Sequence, residues 1–411
     1  MNSKAPLTII AAALLVGSAP LGWAAQPDRG VGGVLADAPV IDGHNDLPWA
    51  IREAGGLQAV DLDQNPRTGA PRFHTDLPRM RAGGVGGQFW SVYVPSTLTG
   101  PAAFKAVSEQ IDLVNRMIER YPDRLELALT AKDIVNAQRR GRIASLIGVE
   151  GGHAIDNSLA LLRQLHAVGA RYMTLTHNDN TPWADSATDT PAVGGLSPFG
   201  EEVVREMNRL GMMVDLSHSA RGARLDAMRV SGAPVIFSHA SAYALVRHPQ
   251  NVDDELLRAL RADGGLVMVT FVERFVSGQA LAWRAAREAE VARQKVLHPE
   301  SPADMKQEVD GWVAANPPPR ATLAQVADHI EHIRNVAGID HVGIGADFDG
   351  TPTLPLGLEG VETYPALFVE LRRRGWTNAE IGKLAGENLL RVMRDVERVA
   401  MRLKRAGGSP G

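Results

Sequence analysis

Residues 212–240, MMVDLSHSARGARLDAMRVSGAPVIFSHA, contain two short apolar runs that each lead into a histidine. The run at 212–216 is followed by His218, and the run at 234–237 is followed by His239. A helical pattern lies between the two runs. The segment therefore predicts a strand, a helix and a second strand that lie parallel in one sheet.

The same alternation of strand and helix patterns extends from about residue 38 to the end of the chain. Six more apolar runs fit strands: 40–42, 88–94, 143–149, 172–176, 266–270 and 341–346. Eight strands are the number that closes a (β/α)8 barrel, so the predicted fold is an α/β, TIM-like barrel. The long stretch between the seventh and eighth strands, residues 277–320, is predicted to be a helical insertion.

Composition narrows the functions that such a barrel can have. The 411 residues are 45% hydrophobic and 22% charged, with a formal charge of −4, no cysteine and 12 histidines. This composition excludes an extensively disordered chain, and the balanced charge argues against nucleic acid as a partner. Without cysteine there is no disulfide, thiolate ligand or cysteine nucleophile, so any metal chemistry must rest on His, Asp and Glu.

The N-terminal residues have the order of a secretory signal peptide: an early lysine, an apolar core and small residues near position 25. The sequence predicts a signal peptide at 1–25, a flexible lead-in at 26–37, a single barrel domain at 38–405 and a tail at 406–411. We expect a periplasmic or secreted bacterial protein that has no stable membrane span once the signal is cleaved.

In a barrel of this type, functional side chains project from the carboxyl ends of the strands. Six of the eight predicted strand ends carry potential metal ligands. They lie at 43–46, 150–153, 177–179, 217–218, 238–239 and 347–349.

The residue types suit a pair of metal ions. His44 and Asp46 are two residues apart on an extended segment, so both side chains point to one face and can chelate one ion. His218 and His239 can hold a second ion. The carboxylate of Glu150 has two oxygens and can bridge the pair, and a hydroxide between the two ions is a nucleophile near neutral pH. The pattern therefore predicts metal-assisted hydrolysis.

The other histidines are interpreted more plainly. His153 is open between a partner of the site and simple packing. Seven histidines are predicted to be structural or solvated: His74, His166, His248, His298, His329, His332 and His341.

Several motifs follow one another along the chain. They are VIDGHNDLP (40–48), TDLPR (75–79) with GGVGGQFWS (83–91), GVEGGH (148–153), LTHNDN (175–180), DLSH (215–218), FSH (237–239) and GADFDG (345–350). Together they resemble the membrane (renal) dipeptidase family of the amidohydrolase superfamily, and the resemblance spans roughly residues 38–400 in the order in which the family has its motifs.

The resemblance implies a role for each matching residue. It assigns one zinc to His44 and Asp46, the second zinc to His218 and His239, and the bridging role to Glu150.

The resemblance also implies that His177 contacts the substrate and steadies the oxyanion, and that Asp347 passes a proton from the bridging water to the leaving amine. Asp349 lies two residues further on, so the residues alone leave the choice open, and the family pattern favours Asp347.

One position departs from the family pattern. The family commonly has an arginine before an Asn-Val pair, and this arginine pairs with the carboxylate of the substrate. Here the residue before Asn251 is Gln250, so carboxylate recognition is weaker, is taken over by Arg247, or is lost. We treat Gln250 and Arg247 as candidate substrate-binding residues.

The expected function is a dinuclear zinc dipeptidase, with two Zn²⁺ per chain, that cleaves small dipeptides by a metal-bridging hydroxide. The resemblance suggests substrates with a D-residue at the C-terminal side. Two alternatives stay open: an amidohydrolase acting on an N-acyl amino acid or a β-lactam, and a non-catalytic metal-binding or ligand-binding protein. A homodimer is also left open.

Overall fold

The computed structural model describes residues 30–64 and 73–407, and within them nine strands form one parallel sheet. The strands are β1 (Val40–Asn45), β2 (Val85–Ser91), β3 (Leu125–Leu127), β4 (Ile143–Val149), β5 (Ala170–Thr174), β6 (Met213–Asp215), β7 (Ile236–Ala240), β8 (Leu266–Val269) and β9 (Val342–Ile344). Each of the eight predicted strands overlaps an observed one. The short β3 was not predicted.

Helices follow the strands along the chain. Their bounds are α1 (Gly30–Asp37), α2 (Leu47–Glu53), α3 (Leu77–Ala82), α4 (Pro101–Arg120), α5 (Ala131–Arg139), α6 (Leu159–Ala167), α7 (Pro198–Leu210), α8 (Arg221–Val230), α9 (Asp254–Asp263), α10 (Glu273–Val276), α11 (Gly278–Leu297), α12 (Pro302–Ala315), α13 (Leu323–Ala337), α14 (Tyr364–Arg373), α15 (Asn378–Gly382) and α16 (Asn388–Gly407). A π-helical segment, Lys383–Glu387, joins α15 to α16.

Eight strands follow one another around a barrel in the order β1-β2-β4-β5-β6-β7-β8-β9, and β3 pairs with β4 outside this path. The first and last strands meet at their carboxyl ends. There the backbone N–H of Asp347 donates to the His44 carbonyl at 3.1 Å, and the N–H of Asp46 donates to the Phe348 carbonyl at 2.9 Å. The predicted (β/α)8 fold is confirmed, and its near closure places the ends of β1 and β9 side by side.

The helical insertion is also confirmed. Helices α11 and α12 lie between β8 and β9, the seventh and eighth strands of the barrel, and pack against each other with Trp283 and Trp312 at 6.0 Å between ring centroids. Capping boxes are present at the starts of α13 and α15, where Thr322 pairs with Gln325 and Thr377 with Glu380.

The N-terminal boundary differs from the expectation. Residues 30–37, which the sequence assigns to a flexible lead-in, form α1 instead. Val31 and Leu35 are one helical turn apart and both are buried in the main core, so the helix is held by packing despite its three glycines. The predicted signal peptide (residues 1–25) and residues 26–29 lie outside the described residues. At the other end, α16 continues to Gly407, and residues 408–411 of the expected tail also lie outside them.

Among residues 30–64 and 73–407, no helix combines the length and the apolar character that a membrane crossing requires.

Candidate active site

The carboxylate of Glu150 lies at the centre of the cluster formed by the strand ends. Its Oε1 is 3.2 Å from His218 Nε2 and 3.6 Å from both His239 Nε2 and His177 Nε2. Its Oε2 faces the opposite group and is 3.6 Å from His44 Nε2. The two oxygens of one carboxylate therefore serve two separate sets of ligand atoms.

The second oxygen of the Glu150 carboxylate, Oε2, faces residues from the end of β1 and from the loop after β9. His44 Nε2 is 3.4 Å from Asp46 Oδ2, and the ligand atoms of His44, Asp46 and Asp347 lie within 4.8 Å of one another. Closure of the barrel between β1 and β9 causes this proximity, although about 300 residues of chain separate Asp46 from Asp347.

The surroundings of His44 fix which of its nitrogens faces the cluster. The Tyr172 hydroxyl is 3.0 Å from His44 Nδ1 and donates a hydrogen bond to the Gly43 carbonyl at 3.2 Å. Because this hydroxyl donates its proton to Gly43, it accepts a hydrogen bond from Nδ1–H of His44. When the ring is neutral, its lone pair is then on Nε2, which faces Asp46 and Glu150.

Two buried aspartates accept hydrogen bonds from the strand segments that carry His44 and His239. Asp42 accepts the His44 backbone N–H at 2.7 Å and hydrogen-bonds Tyr364. Asp215 accepts the Ser238 hydroxyl at 2.6 Å, and Ser238 Oγ is 2.9 Å from His239 Nδ1. Each aspartate thus holds the strand segment that carries a histidine of the cluster.

Burial determines the protonation state of His218 and His239. It lowers the pKa of His218 to about 4 and the pKa of His239 well below its ordinary value. Both imidazoles are therefore neutral at pH 7 and offer lone pairs, which metal coordination requires.

The pKa values of Glu150 and Asp347 are shifted in opposite directions. Burial opposes the ionisation of Glu150, but the imidazoles of His44 and His177 outweigh it and hold the pKa well below its ordinary range. Burial, followed by the neighbouring Asp46 carboxylate, raises the pKa of Asp347 well above its ordinary range. Separation of two carboxyl pKa values in one site is typical of an acid/base pair.

The backbone is strained where two of these side chains leave it. His218 has φ 62° and Asp347 has φ 65°, in the left-handed region that residues other than glycine seldom adopt. Gly350 is needed for space, because a Cβ at this position would lie 2.1 Å from Asp347 Oδ1 and 2.2 Å from Asp46 Oδ2. Such features cluster at functional sites.

The donor set fits metal ions. Among the described residues, the buried atoms His44 Nε2 and Asp46 Oδ1 have no hydrogen-bond partner. Three carboxylates converge with four imidazoles, an arrangement whose charge calls for cations. Nitrogen and oxygen donors of these types suit Zn²⁺ and related divalent ions.

A cavity of about 430 Å³ opens over the cluster. Glu150, His177, His218, His239 and Asp347 all line it. Its walls also include the aromatic residues Trp49, Tyr93 and Phe275 and the basic residue Arg274.

Not every candidate residue belongs to the cluster. Asp349 lines the same cavity, but its Oδ1 accepts the His74 backbone N–H at 2.6 Å. Gln250 is buried and its amide bonds to His218 Nδ1. Arg247 is exposed and is not among the residues that line the cavity. His153 lies outside the metal-capable groups of the described residues, with its ring packed on Gly151.

Sequence reasoning missed several residues that matter here. The buried aspartates Asp42 and Asp215 were visible as charges inside apolar strand patterns, which is a signal of a hydrogen-bonded role. Tyr172 and Arg274 gave no such signal, because a tyrosine in a strand and an arginine on a short helix are both ordinary.

Solved structures of similar fold include peptidases. The probable dipeptidase PvdM from Pseudomonas aeruginosa is 23% identical, with a TM-score of 0.74, 91% of this chain covered and 100% of that one. Dipeptidase AC, a metallopeptidase of family M19, is 26% identical with a TM-score of 0.70, over 87% of this chain and 98% of that one. A metallopeptidase from Rhodobacter sphaeroides, in complex with a phosphinate mimic of the dipeptide L-Ala-D-Ala, is 25% identical with a TM-score of 0.70, over 87% and 99%.

The family description "Membrane dipeptidase (Peptidase family M19)" matches residues 29–407, nearly the whole chain. The match covers every strand of the barrel and every candidate ligand of the cluster, and it agrees with the similar solved structures. The chain therefore belongs to the membrane dipeptidase family, peptidase family M19, and is a metal-dependent dipeptidase.

Proposed function

We propose that the protein hydrolyses the amide bond of small dipeptides with two Zn²⁺ per chain, held by His44, Asp46, Glu150, His218 and His239. The observation that carries the proposal is the division of the Glu150 carboxylate. Its Oε2 lies beside His44 and its Oε1 beside His218 and His239. A carboxylate shared in this way is suited to bridging two ions.

When bound, the zinc ions would supply Lewis acidity and lower the pKa of water at the site. The remaining steps belong to the protein. His177 Nε2 points into the cluster and donates a hydrogen bond to the oxygen on which negative charge develops. Asp347 accepts the proton that the attacking water loses and passes it to the amine that leaves. The cavity walls hold the dipeptide against this pair and limit access of bulk water.

The similar metallopeptidase with a bound mimic of L-Ala-D-Ala supports dipeptides with a C-terminal D-residue as the preferred class. A periplasmic or secreted location and a homodimer stay predictions.

Zinc content and activity test the proposal together. Zinc-loaded protein is expected to hold two ions per chain by elemental analysis and to hydrolyse L,L and L,D dipeptides. Chelation should abolish this activity and zinc should restore it. An enzyme indifferent to both steps, or one that prefers N-acyl amino acids or β-lactams, would contradict the proposal.

Substitutions test the residue roles. Asp347→Asn is expected to lower kcat by about 10²- to 10⁴-fold, as is typical for loss of a general acid/base. Asp349→Asn is the matched comparison, because this carboxylate is bonded to His74. It should keep at least about a tenth of the wild-type kcat, since it leaves the proton path of Asp347 intact.

A further inference from the structure

The position where an arginine is expected is occupied by a residue that faces elsewhere. Gln250 is 2% exposed and its amide is engaged with His218 Nδ1. Neither Gln250 nor the exposed Arg247 is among the described residues that line the cavity over the metal cluster. The carboxylate of a bound dipeptide would therefore meet no cation from this segment.

Arg274 supplies a cation from the neighbouring strand. It lies on α10, directly after β8, and lines the cavity together with His177 and Asp347. It also lines an adjoining cavity of about 740 Å³ that includes Gln250. A guanidinium is thus present near the expected position, but it comes from the end of the seventh barrel strand and not from the loop after the sixth.

The guanidinium of Arg274 packs against an aromatic ring and makes no ion pair among the described residues. Its Cζ lies 4.8 Å from the centre of the Phe275 ring. Within residues 30–64 and 73–407, it has no hydrogen bond and no carboxylate oxygen within 4.0 Å, whereas Arg284 beside it binds Glu288 at 2.5 Å. Burial lowers the pKa of Arg274, and the attraction by the Asp347 carboxylate in the same cavity offsets only part of this shift.

A partly buried cation that makes no ion pair among the described residues, in the wall of a substrate cavity, is suited to an anionic ligand. A guanidinium offers two parallel N–H donors that match the two oxygens of a carboxylate. We propose that Arg274 pairs with the free C-terminal carboxylate of the dipeptide, an assignment that rests on the dipeptidase function proposed above.

Steady-state kinetics on a dipeptide and on its C-terminal amide test the assignment. The amide keeps the scissile bond and removes the negative charge. For Arg274→Gln, we expect kcat/KM on the free dipeptide to fall by roughly 30-fold or more, mainly through KM, because truncating a buried charge pair is costly. On the amide, kcat/KM should change by less than about threefold, because this substrate has no carboxylate with which Arg274 could pair. Arg274→Lys keeps a charge without the fork and should fall between the two.

Arg284→Gln is the matched control, because it removes a neighbouring arginine that already has a carboxylate partner. It should leave the preference for acid over amide unchanged. Zinc content and the melting temperature of each variant are measured alongside, and Arg274→Lys serves as the test if Arg274→Gln does not fold.

The results separate the two proposals. Equal losses on acid and amide in the Arg274 variants, no preference for the acid in the wild type, or a selective loss in Arg247→Gln would overturn the role of Arg274 while dipeptide hydrolysis stands. No hydrolysis of either compound by the zinc-loaded wild type would remove the proposed function itself.

Discussion

Gln250 has a structural task that its place in the sequence does not suggest. If His218 Nε2 binds an ion beside Glu150, as proposed above, the proton of the neutral ring is on Nδ1 and needs an acceptor. The amide of Gln250 lies on that nitrogen, and its Oε1 is otherwise buried without a partner among the described residues. Half a turn of the amide places Oε1 on Nδ1–H and satisfies both groups. Gln250 is therefore a positioning residue for His218.

Gln250→Leu is expected to weaken zinc binding by about 10- to 100-fold, the usual effect of removing a hydrogen-bond partner from a ligating histidine. Competition with a chromogenic chelator measures the affinity without reference to catalysis. Gln250→Glu keeps an acceptor for Nδ1–H and should restore most of the affinity.

A different result would assign Gln250 to the substrate. If Gln250→Leu leaves zinc affinity unchanged and raises KM for free dipeptides only, then Gln250 contacts the dipeptide and not His218.

At the scale of elements, adjacent strands are shaped to bring one tyrosine to the site. Gly148 of β4 pairs in register with Tyr172 of β5, and a Cβ on Gly148 would lie 2.0 Å from Tyr172 Cζ. The missing side chain gives the ring its space, and the ring carries its hydroxyl to His44 Nδ1. A glycine on one strand therefore makes room for the tyrosine whose hydroxyl contacts His44 on another.

Gly148→Ala is expected to destabilise the fold by about 1–3 kcal/mol, because it overpacks the interface between β4 and β5. It should also weaken zinc binding, since the displaced ring no longer holds His44. Urea unfolding and chelator competition measure the two effects.

Tyr172→Phe is the matched comparison, because it keeps the ring and removes only the hydroxyl. It should weaken zinc binding with a smaller loss of stability than Gly148→Ala. Unchanged zinc affinity in both variants would show that Tyr172 has no influence on His44.

Sequence patterns identified the barrel strands because each is an apolar run followed by polar residues at the mouth. The three-residue β3 escaped notice, since only Leu125 of its residues is buried. Helix α1 escaped notice because its glycines indicate flexibility, and its order comes from the burial of Val31 and Leu35 against distant parts of the chain. Local helix propensity does not include the contribution of such long-range contacts.

The candidate site likewise contains residues that the sequence identified and residues that it did not. The convergence of His, Asp and Glu side chains from the strand ends was predictable because the fold places all strand ends at one mouth. The interpretation of Gln250 as a residue that meets substrate had no access to side-chain direction, and the structure turns this amide onto His218. Arg274 was overlooked because its position in the cavity wall, beside His177 and Asp347, depends on the folded chain and is not visible in the sequence.

At the scale of the whole molecule, barrel closure concentrates negative charge at one end. Asp46, Glu150 and Asp347 come from three separate strand ends and line one cavity. Their mutual repulsion opposes closure between β1 and β9, and the helices around the barrel must hold the strands together against it. Metal ions bound between these groups would relieve the repulsion only in the folded state, so metal binding and fold stability are coupled.

Removal of metal should therefore lower the melting temperature. An ion at a thousandfold excess over its Kd stabilises the fold by about 4 kcal/mol, so loss of two ions is expected to lower Tm by roughly 10 °C or more. Scanning calorimetry of the zinc-loaded and the chelated protein measures the difference. His239→Ala should shrink it, because one ligand is lost. His332→Ala removes an imidazole on the outer helix α13 that contacts Asp254, and should leave the zinc-induced difference intact. Equal melting temperatures with and without zinc would mean that the helices alone hold the three carboxylates together, and that the site is fully formed before any ion binds.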